Sequence, residues 1–414
     1  MKNEGLPLAI GLGLQAAQTR VVDIATTYRL PVEDVPLVRA LGRVLGADVP
    51  APRNVPGFRN SAMDGFAVRA CDLPESGTKS FRLRGEILAG ADQSITVGID
   101  ECVRITTGAA LPAGADTVVV KENALAQGEQ IEIASGTQAG ANVRAADEDF
   151  RAGERALNRG TRLAPAHVAA LAAFGLASVA VAKKPHAILL TTGNELTPPG
   201  EALSAGRIYD SNRFSLGGLL EQHGTQLVRH ERLRDDPVLL REALIQASSD
   251  ADIIVSSGGV SVGEADFMPR LVEKIGEVFF WKVRMRPGMP VLFGRIGKAL
   301  IFALPGNPVS GVATFLTMVR PAIDAMTGAT GATGPLRARL TRAIHKSHSR
   351  TEFQRASLTC DDHGVMRSTP VERQGSGMLS GLTQADVLVV LPESIHDFAV
   401  DTVVEVLPLP GWPH

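Results

Sequence analysis

The chain has 414 residues, a formal net charge of −2, 44% apolar residues and 21% charged residues. This is an ordinary soluble composition, long enough for roughly two to four domains with their own cores. A near-neutral balance gives no general attraction to nucleic acid or anionic lipid, and the 4% aromatic content argues against base-stacking platforms.

Cys71, Cys102 and Cys360 are widely spaced and outside any Cys-x-x-Cys, as expected for a reducing compartment and no structural zinc. No apolar run approaches membrane-spanning length. Leu6 to Leu14 is interrupted by Pro7, Gly11 and Gly13, so it does not read as a signal core, and the expected location is cytoplasmic.

Gly11-x-Gly13-x-x-Ala16 superficially matches a dinucleotide fingerprint, but a Pro-containing pentapeptide precedes it and no answering second strand is evident. Residues 14 to 29 read as a helix, with another short helical turn at Val38 to Val44. From about 50 to 145, Gly, Pro and β-branched residues predict a small β domain with strands near Phe81–Leu88, Cys102–Thr106, Thr117–Val120 and Gln130–Ile133. Two polar loops punctuate it, Asn60 to Gly65 and Thr106 to Gly108. Pro165 to Phe174, opened by its Pro and stopped by Gly175, predicts a helix.

Beyond Lys183-Lys184-Pro185 the pattern alternates strand and helix. Apolar runs at 187–190, 226–229, 253–255, 278–284, 291–293 and 300–304 are interleaved with helical stretches at 212–223, 237–248, 267–275 and 309–326. Asp235-Asp236-Pro237 caps and starts the second of these helices, and Pro321 kinks or divides the last. Such alternation predicts a mostly parallel sheet with helices on both faces, which binds ligands outside the carboxyl ends of its strands. Three polar loops fall on that rim, after Leu190, Val255 and Leu304. In the second, Ser256-Ser257-Gly258-Gly259 offers hydroxyls and uncovered amides, with Ser261, Glu264 and Asp266 following; this is chemistry suited to a phosphate and its Mg²⁺. A tight loop with Asp266 as helix N-cap is the alternative on this stretch alone. After a Gly/Ala/Thr linker at 328–335, runs at 337–340, 356–359, 387–391 and 403–407 predict a C-terminal β domain. His345-x-x-His348 lacks an acidic partner at a useful spacing and reads as a solvated basic loop.

Six motifs in order resemble the molybdopterin molybdenumtransferase family (MoeA and the gephyrin E domain): Val55-Pro-Gly-Phe-Arg-Asn-Ser-Ala-Met-Asp-Gly-Phe-Ala-Val68, Arg104-Ile-Thr-Thr-Gly108, Thr192-Gly-Asn-Glu-Leu196, Ser256 to Asp266, Leu304-Pro-Gly-Asn-Pro-Val-Ser310 and Phe353-Gln-Arg355. The resemblance implies four domains: a helical N-terminal region from 1–49 plus 146–183, an inserted β domain at 50–145, a three-layer α/β pterin-binding domain at 184–330 and a C-terminal β domain at 331–414. It implies insertion of molybdate into adenylylated molybdopterin with release of AMP, assisted by Mg²⁺. It also implies a homodimer with an inter-subunit cleft, and handover of the product to molybdoenzymes or their chaperones.

By the same resemblance, Asp266, Glu195, Asp64 and Asp149 serve catalysis, the first two holding Mg²⁺. Thr107, Ser256, Ser257, Gly258, Gly259, Ser261, Gly306 and Asn307 bind the pterin–AMP phosphates. Arg286, Ser310, Arg355 and Ser376 seat molybdate, a dianion that requires cationic and hydroxyl donors. Two positions depart from the family pattern: Met289 stands for the second lysine of Lys-Pro-Gly-Lys-Pro, and Asn194 for the Asp of Thr-Gly-Asp-Glu. A gephyrin-like scaffold and a CinA-type nucleotide-handling enzyme on the same α/β domain are the competing readings.

Overall fold

Alternate residues of the apolar runs face opposite ways along a strand, and in the central strands both directions are buried. Ala187, Leu189, Ile253, Val255, Leu300 and Phe302 enter one core, while Ile188, Leu190, Ile254 and Ile301 enter another. A strand with no polar face must be covered by helices on both sides. In the computed structural model, which describes residues 9–91, 94–259, 267–331, 336–409 and 411, it is. Leu14–Thr26, Asn212–Gln222 and the 308–327 helix cover one face; Pro237–Asp250 and Phe267–Ile275 cover the other.

The seven-stranded sheet runs Ala9–Leu12, Glu277–Val283, Leu292–Ile296, Ala299–Leu304, Ile253–Ser257, His186–Thr192, Gln226–Leu233. Its last four strands are parallel, and Leu292–Ile296 is antiparallel to both neighbours. From His186–Thr192 the chain crosses to one side of the sheet, and from Ile253–Ser257 to the other. The loops after these two adjacent strands therefore diverge, opening a crevice at their carboxyl ends.

Two expectations for the N-terminal region are corrected. Ala9–Leu12 is a strand, parallel to Glu277–Val283, and Ala17, Val21 and Ala25 of the following helix belong to the core of the α/β layer. From Val32 onward the region is mostly short paired strands, Val32–Pro36 with Ser178–Ala182 and Val49–Pro50 with Arg155–Leu157, around the helix Pro165–Ala173. The long 309–326 helix is divided at Pro321. The ladder widens to a π turn over Phe315–Val319 just before it, because Pro321 supplies no N–H and its ring crowds the preceding carbonyl.

The inserted domain is a six-stranded sheet built on Gly65–Val68, Thr78–Ile87 and Glu101–Ile105. In the C-terminal domain, Thr351–Cys360 pairs with both Met366–Pro370 and Val387–Leu391, closing the sheet on itself and removing its edges. Met285–Arg286 leaves the α/β layer to pair with Thr351–Glu352, so the two domains meet along a shared strand edge.

Candidate active site

Two cavities adjoin at this seam. The first, about 550 Å³, fills the crevice at the strand ends and is lined by Thr192, Gly193, Glu195, Asp210, Asn212, Asp235, Ser257, Gly258, Gly259, Gly306 and Asn307. Gly258 adopts φ +100°, and a Cβ there would lie 2.4 Å from the Thr192 carbonyl oxygen, so no other residue fits. Asn212, itself buried, donates from Nδ2 to Ser257 Oγ at 2.8 Å and to the Gly306 carbonyl at 2.7 Å, locking two rim loops together. The Gly258 N–H is not free for a ligand: it donates to the Leu304 carbonyl. Ser256 is fully buried in its strand and lines neither cavity. Ser261 and Asp266 lie outside the described residues.

The acidic wall of this cavity differs from the expected one. Glu195 is on it, as expected. Asp235, which sequence reasoning missed, lines it too, reached from the carboxyl end of Gln226–Leu233. The rim rule applied to that fourth strand would have found it. Asn194 and Asp235 brace each other, the Asn194 N–H donating to Asp235 Oδ2 (3.1 Å) and the Asp235 N–H to Asn194 Oδ1 (3.3 Å). Asp236, by contrast, caps its helix through the N–H groups of Val238 and Leu239. Asp210 is buried, accepting from Thr191 Oγ1 at 2.6 Å and from the Arg213 N–H at 3.1 Å. His230 Nε2 lies 3.2 Å from the same Thr191 hydroxyl, and burial, with the Arg213 charge, pushes the pKa of that imidazole down to about 4.

The second cavity, about 450 Å³, is lined by Arg286, Met289, Pro290, Ser310, Arg350, Glu352, Gln374 and Ser376, among others. It shares Pro290 with the first, and Asn307 Nδ2 donates to Ser376 Oγ at 3.1 Å across the partition. Arg286 and Arg350 have no carboxylate within salt-bridge distance among the described residues. Among the described residues the only side-chain hydrogen bond of Arg350 is a weak one from Nη1 to Met289 Sδ at 3.7 Å. Two guanidinium groups with no carboxylate in salt-bridge contact among the described residues, together with two hydroxyls, suit a small oxyanion, although the Glu352 carboxylate shares the cavity.

Arg355, expected on this wall, does not line it. It is 1% exposed and donates to Gln374 Oε1 and to the carbonyls of Gly375 and Met378, holding the loop that carries Ser376. Arg350 occupies the place expected of it. The resemblance points to Arg355 within the strand Thr351–Cys360, whereas the residue on the cavity wall is Arg350, just before that strand begins.

Asp64, Thr107 and Asp149 line neither cavity. Asp64 Oδ1 accepts from both the N–H and the hydroxyl of Thr107, each at 2.8 Å, and these bonds hold its carboxyl below the usual range. Asp149 is exposed, its N–H donating to the Val55 carbonyl. Of the unabsorbed histidines, His345 pairs with Asp397 on the surface, whereas His348 faces Glu352 at 3.1 Å in a nearly closed setting. The reading of this pair as a solvated loop therefore fails for His348.

A strand-end crevice bearing carboxylates, adjoining a pocket that bears two guanidinium groups, is a two-part polar site of the kind α/β enzymes build at the rim of their sheet. Three family profiles match in order: "MoeA N-terminal region (domain I and II)" over residues 12–175, "Probable molybdopterin binding domain" over 188–325 and "MoeA C-terminal region (domain IV)" over 337–409. The chain is 34% identical over 400 residues to a molybdopterin molybdenumtransferase of Haemophilus influenzae, covering 96% of this chain and 98% of that protein. A Bacillus subtilis protein of the same name is 34% identical over 384 residues, covering 91% and 89%. The crystal structure of a molybdopterin biosynthesis MoeA protein from Pyrococcus horikoshii superposes with a TM-score of 0.81 at 28% identity, over 96% of this chain and all of that one. The chain belongs to the molybdopterin molybdenumtransferase (MoeA) family.

Proposed function

We propose that this transferase of molybdenum cofactor biosynthesis inserts molybdate into adenylylated molybdopterin and releases AMP. The observation that carries the reading is the pairing of the two cavities: one offers backbone and carboxylate chemistry suited to a phosphate bridge, the adjoining one offers cations and hydroxyls suited to a dianion. Arg286 and Arg350 anchor the oxyanion while Ser310 and Ser376 donate to its remaining oxygens. Arg355 keeps Ser376 in place by gripping its loop. Ser257, Gly259, Gly306 and Asn307 hold the phosphate-bearing part of the substrate against the rim.

Glu195 and Asp235, two carboxylates beside a phosphate cavity, fit Mg²⁺, which typically takes one or two carboxylates and completes its shell with phosphate oxygens and water. A bound Mg²⁺ would neutralise charge on the phosphate bridge as AMP departs.

The chain acts as a homodimer in this proposal. Asp64 and Thr107 are organised as a site residue pair is, yet face neither cavity of their own subunit. Ile208 and Tyr209 expose apolar surface on the crevice lining, where a second subunit's loops would cover it. The deciding measurement gives the purified protein adenylylated molybdopterin, molybdate and Mg²⁺, and follows AMP release and activation of an apo-molybdoenzyme. AMP release that ignores molybdate, or no activation, rejects the assignment.

A further inference from the structure

Glu352 is out of place in a receptacle for a dianion. It lines the cationic cavity, opposite Arg286 in strand register, and a bare carboxylate there repels the ligand that the two arginines attract. Among the described residues its one ionic partner is His348, whose Nε2 stands 3.1 Å from Oε2; the two side chains are only 15% and 13% exposed. His348 Nδ1 accepts the Arg350 N–H at 3.3 Å, so the neutral ring carries its proton on Nε2, toward the carboxylate. That N–H lies off the line of a good hydrogen bond, so it faces the carboxylate without tying it down as a full donor would. Gln354 Nε2 holds the other carboxylate oxygen at 3.2 Å. The charged groups facing the pair are Arg286, Arg350 and Lys346, and Lys346 gives its ammonium to the carbonyls of Arg350 and Pro392. Burial first, opposed by the Glu352 carboxylate and helped by these cations, keeps the His348 pKa below its usual value and the ring neutral at pH 7.

We propose that Glu352, backed by His348, is the proton carrier of the oxyanion cavity: it gains a proton when the dianion binds and gives one to the oxide that leaves the metal. The inference rests on the reading above. Exchange of one oxide of MoO₄²⁻ for a dithiol breaks two S–H bonds and one metal–oxygen bond. It forms two metal–sulfur bonds, and the oxide departs as water. The protonated Glu352 supplies one proton of that water and a thiol the other, and the second thiol proton restores Glu352. The metal keeps its oxidation state and the total charge is unchanged, so no oxidant or reductant is needed.

The test is calorimetric titration of molybdate into the full chain without pterin, in buffers of different ionisation enthalpy, beside transfer assays at saturating molybdate. Wild-type protein should take up about one proton per oxyanion at pH 8, and its affinity should fall by up to about tenfold per pH unit. Glu352→Gln should bind at pH 8 at least as tightly as wild type, without proton uptake, yet form cofactor at least about tenfold more slowly. Glu352→Asp should recover part of both. Binding by wild type without proton uptake, or a wild-type transfer rate in Glu352→Gln, overturns the inference. An unmoved pH midpoint in His348→Gln overturns the part given to the histidine. Failure of wild type to bind any oxyanion would instead reject the functional reading on which this rests.

Discussion

At the scale of single residues, position decides what a charge does. Arg286 and Arg355 are both cations near the oxyanion cavity, but one faces it and the other is walled behind its lining loop. Arg286→Ala should leave the fold intact and raise the molybdate concentration for half-maximal transfer on the order of tenfold or more, since one charge-assisted hydrogen bond contributes about 1.5–3 kcal/mol. Arg355→Ala should lower the melting temperature as well, because it removes a buried guanidinium that donates to three acceptors on the Ser376 loop. Equal melting temperatures for the two variants would contradict this division of labour. Met289→Lys would place an ammonium against Arg350, whose guanidinium now rests on the thioether. The free variant should therefore melt lower than wild type and be stabilised more by molybdate, as thermal shift with and without the oxyanion would show.

At the scale of elements, the consecutive carboxylates Asp235 and Asp236 separate function from stability. Asp236 caps the helix Pro237–Asp250, so Asp236→Ala should cost about 1 kcal/mol of stability while leaving transfer near wild type. Asp235→Asn keeps a side chain that can accept from Asn194 but loses the charge, and should reduce AMP release at unchanged melting temperature. Denaturant titration of both proteins beside the AMP assay distinguishes them. The histidines at the next elements report on acid. His223 and His230 are half-buried, and desolvation with nearby arginines pushes the pKa of each down to about 4. Each folded value lies below the unfolded one, so their contribution to stability is complete above about pH 6.5 and is lost as pH falls toward 4. Melting temperature should drop across that window, less so in His223→Gln.

At the scale of the whole molecule, alternation of strand and helix made the α/β layer and its ligand-binding rim legible, because local apolar period reports burial directly. What escaped were relations between distant segments. Ala9–Leu12 is a strand because Glu277–Val283 lies beside it, and no local pattern announces a partner that far along the chain. Arg350 became a site residue only when the pairing of Met285–Arg286 with Thr351–Glu352 brought it to the cavity, and Asp235 only when its strand was placed in the sheet. The Asp64–Thr107 pair extends this, under the proposed dimer, to relations between subunits. It is fully formed in one chain but lines neither the strand-end crevice nor the cationic cavity, which is what the proposed dimer accounts for. If Asp64 of one subunit serves the crevice of the other, Asp64→Ala and Glu195→Ala, each inactive alone, should complement when unfolded together and refolded. Random pairing makes about half the dimers mixed, and a two-fold arrangement leaves each mixed dimer one intact site, so activity should return to about one quarter of wild type. Mixing without dissociation should restore nothing, and absence of recovery after verified exchange would place both carboxylates in the same subunit's site.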